Sequence, residues 1–104
     1  MSLDQPHRIK ELAQILSFLG NEQRLNILRA ITSREKFARE ISEEVGISRP
    51  LVTIYLKQFE KIGLVVGNNR IADDPPYLRR YYRAIPFDLV VNLDVIKNLN
   101  GERL

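Results

Sequence analysis

The stretch "FAREISEEVGISRPLVTIYLKQFEKIGLV", residues 37–65, constrains this chain more than any other. It carries two apolar stripes at helical spacing. Ala38, Ile41 and Val45 make the first, and Val52, Leu56, Phe59 and Ile62 make the second. Gly46 is a natural stop for the first helix, because glycine accepts the left-handed backbone that ends many helices. Only Ile47 and Ser48 then precede Arg49. Ser48 suits an N-cap, Pro50 an early helical position, and Gly63 the far end. A helix, a tight turn with glycine and a second helix are the elements of a helix-turn-helix. Any two short helices can be joined in this way. The outer face of the second is what needs a reason: Arg49, Pro50, Thr53, Ile54, Lys57 and Gln58 serve no core.

The neighbouring segments predict one domain over residues 1–104, mainly α with a small β-hairpin. A first helix is expected from about Pro6 to Leu19, with Ile9, Leu12, Leu16 and Leu19 as its stripe and Ile15 and Phe18 widening it. A second should run from an Asn21 cap to about Thr32, with Leu25, Leu28 and Ile31 inward. After Gly63, "LVVGNNRIAD" and "YLRRYYRAIP" flank "DPP" and read as two antiparallel strands, a wing over residues 64–85. "FDLVVNL" alternates Phe87, Leu89 and Val91, which predicts a C-terminal strand. Asp94 is then a candidate cap for a short last helix from Val95 to Leu99.

Charge is distributed unevenly. The whole chain carries +3, yet residues 47–86 hold seven basic against three acidic side chains. A localised basic surface on a globular chain points to a polyanionic partner, although a solvated basic face has the same composition. There are no cysteines and one histidine, His7, so disulfides, thiolate sites and tight transition-metal sites are not expected. No apolar run reaches the ~20 residues that span a bilayer, and the opening "MSLDQPHRIK" lacks the apolar core of a leader. A cytoplasmic protein without cofactor is expected. No nucleophile–base pair, carboxylate dyad or glycine-rich phosphate loop is visible, so an enzyme is not.

The chain resembles the winged helix-turn-helix regulators of the ArsR type. "LGNEQRLNILRAI" (19–31) is similar to the family's second-helix signature, "EISEEVGISRPLVTIYLKQFEKIGLV" (40–65) to its helix-turn-helix, and "RRYYRA" (79–84) to its returning wing strand. The resemblance implies a winged-helix fold and a transcriptional regulator that binds double-stranded DNA, acting as a repressor. Many members of the family sense metals through cysteine pairs or Asp and His sets. This chain lacks those residues, so the fold carries over and the metal-sensing role does not.

A helix over residues 48–62 then has a physical use, because the major groove admits one α-helix. Ser48 as N-cap leaves backbone N–H groups free for a phosphate. Arg49 can make paired bonds to guanine O6 and N7. Thr53 or Ile54 can meet a thymine methyl, and Lys57 and Gln58 are expected at phosphates. Arg70, Arg79 and Arg80 of the wing are expected at phosphates or in the minor groove, with strand alternation sending Arg79 and Arg80 to opposite faces. Surplus apolar surface on the first helix and C-terminal segment predicts a homodimer, with Ile15, Phe18, Leu89, Val91, Ile96 and Leu99 at the contact. The alternative is a winged-helix module that binds a protein of the transcription machinery. The sequence names no effector ligand and no membrane contact.

Overall fold

A computed structural model describes residues 5–101. The elements run α1 (Ile9–Leu19), α2 (Glu22–Ala30), β1 (Lys36–Phe37), α3 (Ala38–Val45), α4 (Arg49–Lys61), β2 (Val65–Ile71), β3 (Leu78–Ala84) and α5 (Leu93–Asn98). Helices α3 and α4 form as their local signals require. Gly46 ends α3 with φ 72° and its N–H on the Ser42 carbonyl. Ser42 also donates its hydroxyl to the Ile47 carbonyl at 2.5 Å, which pins the turn. Ser48 caps α4 by accepting from the Leu51 N–H at 3.4 Å.

The core sits where α2, α3 and α4 meet the sheet. Ile27, Ile41, Val52, Leu56, Phe59 and Leu64 are fully buried there, and Tyr82 of β3 closes one side. Burial pushes the Tyr82 hydroxyl's pKa above its ordinary value. Truncating Phe59 to alanine would cost about 3–5 kcal/mol by the usual scale for a buried aromatic. The expected inward set Val52, Leu56 and Phe59 is therefore the heart of the domain's packing, with Ile62 half-buried.

The sheet has three antiparallel strands in the order β1-β3-β2. β1 is unforeseen by the sequence. It is two residues long and contains Lys36, a charged residue that is nonetheless buried. Its Nζ donates to the Ala30 carbonyl at 2.6 Å and to Glu44 Oε1 at 2.7 Å, so the charge is paired and also satisfies the C-terminal end of α2. Glu40 and Glu44 are thus not idle solvent-face acids. Glu40 holds Arg34 at 2.7 Å and accepts from the Phe37 N–H at 3.3 Å at the start of α3.

Several expectations are corrected. "FDLVVNL" is not a strand. β3 already has a neighbour on each side, and the Val90 backbone is met by a side chain instead: Gln5 accepts its N–H and donates to its carbonyl, both at 2.9 Å. α1 starts at Ile9, not Pro6, because the backbone before it pairs with the C-terminal segment: Ile9 N–H donates to the Asn100 carbonyl and Asn100 N–H to that of His7. Asn92, not Asp94, caps α5, accepting from the Val95 N–H at 2.8 Å. Leu25 is exposed and Ile27 takes its place inside. Only Leu12 of the α1 stripe is buried, while Ile9 and Leu16 remain exposed.

Candidate nucleic-acid interface

The outer face of α4 is built by subtraction. Val52, Leu56 and Phe59 anchor one side of the helix, so Arg49, Pro50, Ile54, Lys57 and Gln58 are left exposed on the other. Ile54 is 51% exposed, so its apolar side chain is available to a partner that meets this face. Thr53 is half-buried and donates its hydroxyl to the Arg49 carbonyl one turn back, at 3.0 Å. Tyr55 is half-buried too. Its ring lies 4.9 Å from the Arg24 guanidinium, which also stands 4.3 Å from the Phe18 ring.

This helix also carries positive charge without a carboxylate partner among the described residues. Arg49, Lys57 and Lys61 form no ion pair with any described residue, and neither does Arg39 near the start of α3. Arg39 and Arg49 line one shallow groove between the helix-turn-helix and the wing, together with Pro76, Leu78, Arg79 and Arg80. An incoming phosphate would meet two cations there without displacing a carboxylate.

The wing behaves otherwise. Arg79 and Arg80 do take opposite faces. Arg79 stacks 4.6 Å from the Phe37 ring, and Arg80 reaches across to α4. Arg79 is consumed by the hairpin tip: it pairs with Asp74 at 3.1 Å and donates to the Pro76 carbonyl at 3.1 Å, leaving its side chain 10% exposed. Arg70 pairs with Glu35 at 2.5 Å, and Arg80 with Glu60 at 2.8 Å. All three wing arginines named from sequence are therefore internally paired. Glu35 and Glu60 are functional neighbours that sequence reasoning missed, since only the folded register brings them to the wing.

The residues assigned to self-association divide as well. Phe18 turns inward, its ring edge-on to Phe59 with centroids 4.9 Å apart, so it is part of the protomer's own core. Val91 and Ile96 are exposed, and Ile15, Leu89 and Leu99 are half-buried. Ile9, Leu16, Val90 and Leu93 are exposed as well. Helix α5 contains no buried residue at all.

Comparison with known proteins agrees with this arrangement. Residues 21–66 match the model described as "Bacterial regulatory protein, arsR family". The chain is 28% identical over 81 residues to an uncharacterised HTH-type transcriptional regulator of Methanocaldococcus jannaschii, covering 78% of this chain and 83% of that protein. Among solved structures, a homodimeric winged helix-turn-helix DNA-binding domain from Mycobacterium bovis superposes with a TM-score of 0.58 at 24% identity, over 73% of this chain and 65% of that one. NolR from Sinorhizobium fredii gives a TM-score of 0.58 at 22% identity, over 90% and 88%. No helix among the described residues is long and apolar enough to cross a membrane. The paired helices, the wing and these matches together identify a DNA-binding transcriptional regulator, not an enzyme, with the ArsR-type helix-turn-helix over residues 21–66 of a winged-helix fold.

Proposed function

We propose that this protein is a sequence-specific repressor that binds double-stranded DNA as a homodimer, with α4 in the major groove and the wing beside it. The observation that carries the reading is the leading face of α4. A cationic side chain without a counter-charge, an exposed isoleucine and two further polar side chains stand on a helix whose opposite face is locked into the core. That is what base reading requires: a rigid element presenting donors and one apolar contact. Ser48, Arg49, Pro50, Thr53 and Ile54 would face the bases and the nearest phosphate, and Lys57 and Gln58 the backbone.

Self-association is supported by the exposed apolar side chains of α1, the segment 87–91 and α5, which the hydrogen bonds between Gln5 and Val90 and around Asn100 draw into one region. A two-fold protein would read two half-sites about one helical turn apart. Occupying such a site at a promoter would exclude the transcription machinery. Metal control is not part of the proposal, because no group of three or more His, Cys, Asp or Glu side chains fit to hold an ion occurs among the described residues.

Selection of bound sequences from random duplex DNA tests the reading. Two related half-sites separated by about 10–10.5 base pairs, centre to centre, are expected. Recovery of no shared sequence would contradict it.

A further inference from the structure

We propose that Glu60 is a specificity-determining residue: it holds Arg80 of the wing against α4 and so keeps that cation from gripping DNA of any sequence. The proposal rests on the DNA-binding reading above. The site is built from three elements. Arg80, on β3, donates from Nη2 to Glu60 Oε2 on α4 at 2.8 Å and from Nη1 to Asn69 Oδ1 on β2 at 3.2 Å. Its guanidinium lies 5.7 Å from the Tyr82 ring. Room for it comes from Gly67, where a Cβ would stand 2.6 Å from Arg80 Nε. The pair is reachable by solvent, at 40% and 26% side-chain exposure.

The position gives this contact its consequence. Arg80 lines the same groove as Arg39 and Arg49, which carry no carboxylate partner among the described residues. Random DNA entering the groove meets two available cations, Arg39 and Arg49, and two already neutralised, Arg79 and Arg80. To use Arg80 it must exchange one charge-assisted bond for another, with little net gain. Electrostatic, sequence-independent attraction is thereby held down, while base contacts from α4 are untouched. The Arg70–Glu35 pair is a weaker candidate for the same role, because Arg70 is not among the groove-lining residues and its contact lacks hydrogen-bond geometry.

The test compares the binding of one selected site and one random duplex from 50 to 200 mM salt. The proteins are wild type, Glu60→Gln, Arg80→Ala, the double variant, and Gly67→Ala. Glu60→Gln should bind the random duplex more tightly, with a salt slope steeper by about one. Its advantage over wild type should then grow roughly threefold between 200 and 50 mM salt, since one phosphate contact contributes about 0.9 to the slope. The ratio of specific to random affinity should fall. Gly67→Ala, which evicts Arg80 without altering any charge, should reproduce the effect. Arg80→Ala alone should change random binding less than about twofold, and the double variant should lose the gain. A gain that persists in the double variant would mean that Glu60 repels DNA directly. Weaker binding of both duplexes by Glu60→Gln and Gly67→Ala would make the contact a strut for the wing. Either result overturns the proposal, as does an unchanged slope. Wild type without salt-dependent duplex binding would instead overturn the DNA-binding reading itself.

Discussion

Ile96→Glu should dissociate the homodimer and leave the protomer folded. Ile96 stands on α5, a six-residue helix with no buried residue, and is 43% exposed. Fully burying an isoleucine stabilises by about 1.5–3 kcal/mol, so the uncovered portion leaves about 1 kcal/mol for a partner to supply. A two-fold dimer contains the site twice, which makes the loss about 2 kcal/mol before any cost of desolvating the new carboxylate. That corresponds to at least about a thirtyfold rise in the dimer dissociation constant. Sedimentation velocity over a concentration series reads it directly, and the melting temperature at low concentration checks the fold. Operator binding should weaken in parallel, because half-sites would then be occupied singly. Phe18→Glu makes the control. Phe18 packs on Phe59, so its substitution should lower the melting temperature sharply. An Ile96→Glu protein that sediments like wild type at every concentration would refute the placement of the interface. A wild type that is already monomeric at high micromolar concentration would refute the dimer.

Glu40 has its pKa lowered, chiefly by the hydrogen bond from Arg34. A carboxylate favoured in the folded state stabilises above its unfolded pKa, and that contribution disappears as pH falls through the folded value. Wild type should therefore lose more stability than Glu40→Gln on acidification below about pH 4.5, as followed by thermal melts across pH 3–7, and equal losses would remove Glu40 from the account. Added zinc, nickel or cadmium should leave DNA affinity as it is in chelator at matched ionic strength, given no cysteine and one histidine per chain. A tenfold loss at stoichiometric metal would contradict that.

The helix-turn-helix was legible in the sequence because everything that defines it is local. The Ser48 cap, the Gly46 and Gly63 stops and the Val52–Leu56–Phe59 spacing lie within one stretch, and each does what its chemistry implies. β1 was not legible, since a lysine in a two-residue strand becomes buriable only when the Ala30 carbonyl and Glu44 arrive from other elements. The alternation of Phe87, Leu89 and Val91 misled for a related reason. A period of two reports a chain covered on one side, and here no strand pairs with it. On α1, the Ile9–Leu19 stripe was real but served two destinations. Leu12 and Leu19, with Phe18 beside them, go to the protomer's own interior, while Ile9 and Leu16 stay exposed. The charge count located the basic third of the chain correctly but overstated the wing. Arg70, Arg79 and Arg80 each meet a carboxylate that only the fold brings to them, which leaves Arg49, Lys57 and Lys61 on α4, and Arg83 on β3, without one among the described residues.

Arg49→Ala decides whether the leading end of α4 reads bases. Its affinity is to be measured on the preferred site, on every single-base-pair variant of one half-site, and on random duplex. Arg49 is exposed and has no ion-pair partner among the described residues, so the substitution breaks no ion pair there. A loss of about 1–3 kcal/mol on the preferred site is expected, with relaxed preference at one base pair per half-site. Preference at the other positions should be retained. A uniform loss across all sequences, with base preference intact, would show that Arg49 holds a phosphate and that α4 is not the reading element.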